Sequence, residues 1–180
     1  MLNEAHVLEE VPRFFRVVAL NPFRRTPGVI FDNVPTKGLG GIDAIDRVIH
    51  ESEATSPGPV DGVERPWYMH THQDDHLVVL AGIRYVDIYR REYGGTESFE
   101  IGPNHVKKGG VIISGGPAMV VWPRGVFHRV RSPAGGSAAV NFAKHHSGMD
   151  ITANFNIYDL DVETGEFRLV REGWKDQDIQ

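Results

Sequence analysis

Glycine and proline interrupt this chain so often that few segments are long enough for a helix of several turns. The 180 residues contain 20 glycines and 11 prolines, and both residue types mark turns, because glycine tolerates positive φ and proline lacks a backbone donor. Segments rich in alanine, leucine, glutamate and lysine, which favour helices, are scarce. The pattern predicts many short strands at intervals of about 8 to 12 residues, as in an all-β sandwich or barrel.

The length predicts one domain, because 180 residues are enough for a single core and too few for two typical domains. Predicted strands include residues 29–32, 44–50, 119–122 and 127–131, and residues 103–117 are predicted to form a loop. We divide the chain into an N-terminal arm (1–60), a barrel core (61–145) and C-terminal strands of the same domain (146–180). The arm is expected to pack on the barrel or on a second subunit.

Composition and charge exclude several classes of function. The chain has no cysteine, so disulfides, thiolate metal sites and a thiol nucleophile are excluded. The net charge of -5 and the scattered basic pairs argue against a nucleic-acid partner. The N-terminal sequence lacks a basic start followed by an apolar region, and no apolar run approaches the ~18 residues of a membrane span. We therefore expect a cytoplasmic protein without a membrane partner.

Three histidines occur within the seven residues of the segment HTHQDDH, residues 70–76. His70 and His72 share one face if this segment is a strand, because side chains two residues apart lie on the same side. A turn at residues 73–75 is then expected to start a new strand in which His76 shares a face with Val78 and Leu80. Three imidazoles converging at an apolar cavity suit a transition metal.

A fourth histidine follows in the segment VVWPRGVFHRV, residues 120–130. In a strand, Val126, His128 and Val130 share one face and Arg129 lies on the other. His128 is expected to face inward, because its neighbours on that face are apolar. An inward histidine without a partner would be costly to bury. Shared metal ligation by His70, His72, His76 and His128 is the simplest explanation.

Together, the two segments resemble the two motifs of the cupin superfamily. The first cupin motif reads HxH, three or four residues, Glu, six residues, Gly, and the second reads PxGxxH. The resemblance implies a cupin-type double-stranded β-helix, a jelly-roll barrel with an N-terminal arm and few short helices. His76 stands at the expected place of the glutamate, and Gly82 comes one residue early. The chain is thus similar to the small single-domain cupins that bind a divalent metal through four histidines.

A four-histidine site would leave a divalent ion with its full charge and two open positions. Such an ion favours an anionic ligand or a bidentate substrate. The cupin resemblance implies Mn or Fe in the cell, and the affinity of imidazole makes Ni, Cu or Zn further candidates. Tyr68 has the parity of His70 and should face the cavity, and Tyr68 or Asp75 is the candidate catalytic base. Arg84 and Asn141 could anchor a carboxylate, although an exterior position for both is at least as compatible with the sequence.

The leading hypothesis is a metal-dependent enzyme acting on a small oxygenated, anionic molecule. Its chemistry would be that of a dioxygenase or of a lyase or isomerase that polarises a carbonyl. The alternatives are a module that binds a sugar-like molecule without catalysis, a structural metal site, and metal-independent epimerisation or isomerisation of a carbohydrate by a histidine paired with an aspartate or tyrosine. The long arm and the cupin resemblance further imply a homodimer, with residues 14–50 as the exchanging segment.

Overall fold

The computed structural model describes residues 5–35 and 39–177. This part of the chain is almost entirely β-structure, which confirms the all-β prediction. The strands in chain order are β1 (His6–Val11), β2 (Phe15–Ala19), β3 (Asn21–Thr26), β4 (Val29–Asn33), β5 (Ala44–His50), β6 (Thr55–Ser56), β7 (Trp67–Met69), β8 (Gln73–Gly82), β9 (Arg84–Arg90), β10 (Gly95–Gly102), β11 (His105–Lys108), β12 (Val111–Ser114), β13 (Ala118–Trp122), β14 (Phe127–Arg131), β15 (Ser137–His145), β16 (Ile157–Leu160) and β17 (Phe167–Arg171). One short helix, α1 (Ile151–Asn154), and 3-10 turns at Arg91–Tyr93 and Gly173–Asp176 complete them.

The strands form two antiparallel sheets and a separate hairpin. The six-stranded sheet has the order β1-β2-β13-β8-β15-β5. The nine-stranded sheet has the order β12-β11-β10-β9-β14-β7-β16-β17, with β6 paired to β14. Within residues 5–35 and 39–177, β3 and β4 pair only with each other. The first sixty residues therefore supply three strands of the six-stranded sheet, and the hairpin β3-β4 stands apart from both sheets.

The main core lies between the two sheets. It combines Leu77 and Val79 of β8 with Val86 and Ile88 of β9, among other buried apolar residues. Fully burying a side chain of this size contributes about 1.5 to 3 kcal/mol, so the facing sheets are held together chiefly by this layer. A second apolar cluster, which includes Val121, lies on the back of the six-stranded sheet. The centre of this sheet is therefore buried on both faces.

The start of β8 differs from the sequence prediction. Residues 73–75, predicted as a turn because of their polar side chains, begin a ten-residue strand. Gln73 and Asp75 consequently share the inner face with Leu77 and Val79, and all of them are buried. Asp75 pairs with Trp122 and the next residue, His76, pairs with Val121. The longer strand turns His76 toward the back of the sheet.

Residues 103–117 also differ from the prediction of a loop. Within them, β11 and β12 extend the edge of the nine-stranded sheet, and Val106 of β11 is fully buried in the main core. The glycines and prolines that suggested a long loop lie at the turns between these strands. Across the described residues, no helix has the length and apolar character needed to cross a membrane.

Candidate active site

A cavity of about 220 Å³ opens between the two sheets. Both sheets contribute to its wall, which mixes aromatic rings with ionisable side chains. The lining residues are Asp46, Val48, His50, Ser56, Tyr68, His70, Gln73, Asp75, Leu77, Arg84, Trp122, His128, Val130, Asn141 and Phe155. Binding sites in proteins commonly combine an apolar wall with a few placed polar groups, and this cavity is the candidate active site.

Asp75 is the most extensively bonded group in the cavity wall. Its Oδ1 accepts hydrogen bonds from Nε2 of Gln73 (2.7 Å) and Nδ2 of Asn141 (2.7 Å). Its Oδ2 accepts one from Nε1 of Trp122 (2.9 Å) and lies 3.3 Å from Nε2 of His70. The carboxylate is 3% exposed. A carboxylate held by this many donors is fixed in position and in its ionised form.

His70 and His128 both direct Nε2 toward this carboxylate. Nδ1 of His70 donates to the carbonyl oxygen of Asn154 (2.5 Å), and Nδ1 of His128 donates to that of Val126 (3.3 Å). A carbonyl oxygen only accepts, so each ring carries a hydrogen on Nδ1. Nε2 of His128 lies 3.9 Å from Oδ2 of Asp75, beyond hydrogen-bond distance. The ring centroids of the two histidines are 4.8 Å apart.

The environment moves the pKa values of the two histidines in opposite directions. Burial opposes protonation of His70, but the charge of Asp75 and the hydrogen bonds to Asp75 and Asn154 outweigh it and raise the pKa of His70. Burial, followed by the charge of His70, lowers the pKa of His128 to about 4. Burial alone would raise the pKa of Asp75, but His70 and His128 bring this pKa well below its usual range. The buried carboxylate therefore favours the protonated form of His70, whereas His128 is neutral at neutral pH.

Tyr68 and Phe155 form an aromatic wall beside the histidines. Tyr68 faces His128 across the β7-β14 pair, with ring centroids 5.9 Å apart. Phe155 meets the rings of Tyr68 and His70 edge to face. Burial raises the pKa of Tyr68, so its hydroxyl keeps its proton at neutral pH and can donate a hydrogen bond. The cavity thus contains both residues expected from the sequence to be catalytic, Tyr68 and Asp75.

The four histidines expected to bind a metal do not converge in the structure. His70 and His128 line the cavity, whereas His76 lies on the back of the same sheet, where Nδ1 donates to the carbonyl oxygen of Phe142 (2.8 Å). His72 lies beyond the end of β7 against Gly148, and its Nδ1 is buried without a hydrogen-bond partner among the described residues. The physical reason is the early start of β8, which places His76 and Asp75 on opposite faces.

A different donor set does converge. One ligand atom each from His70, Asp75 and His128 lie within 4.8 Å of one another. Both histidines donate from their other ring nitrogen to a backbone carbonyl, a contact that commonly orients metal-binding histidines. By the chemistry of its donors, this set fits a divalent transition metal.

The sequence contained a signal for Asp75 that the prediction did not use. The cupin motif places six residues between its acidic residue and its glycine, and six residues separate Asp75 from Gly82. Asp75 therefore occupies the acidic position, with two residues after HxH instead of three. Arg84 and Asn141, for which an exterior position was at least as compatible with the sequence, both lie inside the cavity wall.

The two facing antiparallel sheets, with the site between them, form a jelly-roll barrel of the cupin type, as the motifs indicated. Its structural neighbours include the dTDP-4-dehydrorhamnose 3,5-epimerase from Elizabethkingia anophelis (TM-score 0.57, 10% identity, 81% of this chain and 77% of that chain). They also include the dTDP-6-deoxy-D-glucose-3,5-epimerase from Legionella pneumophila (TM-score 0.56, 9% identity, 79% of this chain and 73% of that chain). A third is a sugar 3,4-ketoisomerase from Thermoanaerobacterium thermosaccharolyticum (TM-score 0.54, 8% identity, 76% of this chain and 84% of that chain). No family model and no curated protein matches the sequence.

These findings correct the prediction of a metal-dependent enzyme with dioxygenase or lyase/isomerase chemistry at a four-histidine site. The structural neighbours named above are sugar epimerases and a sugar ketoisomerase. In addition, two of the four imidazoles on which that prediction depended lie outside the cavity. At this level of identity the likeness concerns the fold, and the reaction has to be argued from the site itself.

Proposed function

We propose that this protein is an isomerase or epimerase that moves a proton on the carbon next to a carbonyl group of a sugar-like substrate. The observation that carries the proposal is the placement of two histidines at one buried carboxylate, with Nε2 of His70 3.3 Å and Nε2 of His128 3.9 Å from Oδ2 of Asp75, which moves the pKa values of the two histidines apart. Two titratable groups separated in this way are suited to opposite roles in proton transfer. The sugar epimerases and ketoisomerases among the structural neighbours support a carbohydrate substrate.

Each residue of the site has a role in this reaction. His128, neutral and with a free lone pair on Nε2, removes the proton next to the carbonyl. The positive charge of His70, held in place by Asp75, stabilises the enolate that forms, because a preorganised charge acts strongly in a cavity shielded from water. Tyr68 donates a hydrogen bond to the developing oxyanion, and from its side of the cavity it can return a proton to the carbon next to the carbonyl.

A divalent metal at this site remains a proposal, now on the donors His70, Asp75 and His128. Bound there, Mn, Fe or another of the expected ions would polarise the carbonyl oxygen of the substrate. The proton-transfer roles described above belong to the metal-free site, because Nδ1 of both histidines bonds a backbone carbonyl and a metal would occupy the same Nε2 atoms. The cytoplasmic location expected from the sequence likewise remains a prediction.

The proposal is tested by hydrogen exchange in deuterium oxide, followed by NMR. The probes are dTDP-4-keto-L-rhamnose, the ligand of the Legionella enzyme, and 5-keto-D-gluconate, a small keto acid. We expect deuterium to enter next to the carbonyl of at least one probe. His128→Asn should slow this exchange about 100-fold or more, the usual contribution of a positioned base.

The matched control is His76→Asn, because His76 lies on the back of the same strand pair. Its exchange rate should stay within about twofold of the wild type, since His76 is buried on the opposite face of the sheet and does not line the cavity. Metal content, measured on the same preparations, should fall in His128→Asn and not in His76→Asn if the three-donor site holds an ion. Absence of exchange with both probes, or equal exchange in both variants, would contradict the proposed function.

We further propose that the protein is a homodimer joined through the hairpin β3-β4. Phe23, Ile30 and Phe31 on this hairpin are 48%, 58% and 42% exposed. A two-stranded hairpin alone is marginally stable in water, and clustered exposed apolar side chains commonly mark an interface. A second copy would cover them, in agreement with the exchanging segment expected at residues 14–50.

The mass in solution tests the dimer. We expect twice the chain mass of 20.1 kDa by light scattering after size-exclusion chromatography. Ile30→Asp should produce the monomer, because a charge would be buried in the interface. Leu169→Asp is the control, since Leu169 is similarly exposed (46%) on β17. A monomeric wild type, or two dimeric variants, would refute this interface.

A further inference from the structure

We infer that Arg84 forms an anion-binding subsite within the same cavity, and that the substrate is a small sugar acid bound through its carboxylate. The inference deepens the proposed function and rests on it for the reaction, although the binding of the acid can be measured separately. Arg84 lies at the start of β9 and lines the cavity together with the histidines.

Arg84 is a buried positive charge without an acidic partner. It is 2% exposed, and no carboxylate among the described residues forms an ion pair with it. Nε donates to Oγ of Ser137 (3.0 Å) and Nη2 to the carbonyl oxygen of Val48 (3.0 Å). Two of its five N–H groups are thereby used. A buried guanidinium is costly unless a negative group compensates it, so an incoming anion would relieve a cost that the free protein carries.

The neighbours of Arg84 are neutral hydrogen-bonding groups. Ser137 contacts Oγ of Ser132 (2.8 Å), and Ser132 contacts Nδ1 of His50 (3.1 Å). Burial, followed by the charge of Arg84, lowers the pKa of His50 to about 4, so His50 is neutral at pH 7. Burial lowers the pKa of Arg84 only to about 10, so the guanidinium stays charged. This part of the cavity therefore has one net positive charge and several polar groups without charge.

The two carboxylates of the described residues that line the cavity with Arg84, those of Asp46 and Asp75, are already engaged by other groups. Asp46 lines the same cavity, but its Oδ2 accepts a hydrogen bond from Nδ2 of Asn141 (3.0 Å). It does not contribute to the pKa of Arg84, which responds to burial alone. Asp46 thus accepts a hydrogen bond from Asn141, and Asp75 pairs with His70. The N–H groups of Arg84 that do not bond Ser137 or Val48 remain available for a ligand.

Arg84 and the reactive groups lie on one continuous inner face. Arg84 and Ile88 are both buried on β9, and His128 is the partner of Ile88 on β14. Four residues of a strand span about 13 Å, and Arg84 and His128 both line the same cavity. A single small molecule can therefore contact Arg84 through an anionic group and His128 at a carbon several bonds away.

The volume of the cavity limits the size of this molecule. At about 220 Å³ it is smaller than the ~300 to 1,000 Å³ of sites for drug-sized ligands. A six-carbon sugar acid suits this space, whereas the nucleotide of a nucleotide sugar would have to lie outside it. A planar carboxylate also matches the fork of N–H donors that a guanidinium presents.

Isothermal titration of the wild-type protein with glucuronate and with glucuronamide tests the inference. The two molecules have nearly the same shape, and only the first is charged. We expect glucuronate to bind at least about tenfold more tightly, because a charge-assisted pair with a buried guanidinium contributes more than a neutral hydrogen bond. Equal affinities, or the absence of binding by both molecules, would overturn the subsite.

Two arginine variants test whether Arg84 causes the preference for glucuronate. Arg84→Gln should remove the preference for glucuronate, whereas Arg129→Gln should keep it, because Arg129 is paired with Asp87 away from the cavity. Persistence of the preference in Arg84→Gln would also overturn the inference. Should the glutamine variant fail to fold, the comparison in the wild type still decides. A charge preference without deuterium exchange would support the subsite and contradict the proposed function, and exchange without a charge preference would do the reverse.

Discussion

Asp75→Ala is expected to destabilise the protein by about 3 to 5 kcal/mol, the usual cost of removing one partner of a buried ion pair. The carboxylate accepts from Gln73, Asn141 and Trp122 and lies against His70. Alanine would leave all these donors in a buried site without an acceptor, and each unsatisfied donor adds to the cost. Urea denaturation followed by tryptophan fluorescence measures the loss, and the deuterium exchange of the proposed reaction should disappear as well.

Two further variants separate the charge of Asp75 from its position. Asp75→Asn keeps the shape but places an amide N–H against donors, and it removes the charge that raises the pKa of His70. We expect this variant to lose exchange activity even where it folds. Asp74→Asn is the control, because Asp74 is less buried and pairs with His146, and it should cost no more than about 1 kcal/mol. Equal stability of Asp75→Ala and Asp74→Asn would show that the carboxylate network does not hold this side of the cavity.

Gly82→Ala is expected to destabilise the protein by at least ~3 kcal/mol, because backbone strain and a clash combine. Gly82 ends β8 with a φ of 70°. A Cβ there would lie 2.1 Å from the carbonyl oxygen of Gly136 and 2.9 Å from Cα of Ser137. Both obstacles are backbone atoms, so a side-chain rotation cannot relieve them. Yield of folded protein and the thermal midpoint measure the effect.

Gly94→Ala is the control, because it introduces backbone strain without a clash. Gly94 has a similar φ of 66°, and a Cβ there would meet no atom within 4 Å. Its substitution should therefore show only the strain of a left-handed residue, about 1 to 2 kcal/mol. The difference between the two variants reports the contact of β8 with the turn before β15. Equal losses in the two variants would mean that this close approach is absent.

Much of the strand pattern and part of the site could be predicted from the sequence. Segments 44–50 and 127–131 were predicted with the bounds that the structure shows, because turn residues flank each of them. The inward direction of Tyr68, His70 and His128 followed from the alternation of side chains along a strand, and all three line the cavity. Such local rules work where one strand continues without interruption through the motif.

The same rules failed where the length of a strand depended on its neighbours. Gln73, Asp74 and Asp75 are typical turn residues, but Gln73 and Asp75 find buried partners across the barrel, and this makes an extended backbone favourable. Shifting the start of β8 by three residues moves His76 to the opposite face. The prediction of a four-histidine metal site thus failed at this boundary for His76, and beyond the end of β7 for His72.

The sequence by itself determined the all-β class, the two cupin-like motifs and the faces of His70 and His128, because these depend on turn residues and on the two-residue period of a strand. Only the tertiary structure decided which groups meet. Asp75 is joined to Trp122 and Asn141, residues 47 and 66 positions away along the chain, and Arg84 is enclosed without a carboxylate partner in the described part of the chain. Contacts between distant strands set the charge and hydrogen bonding of the cavity, and no local pattern encodes them.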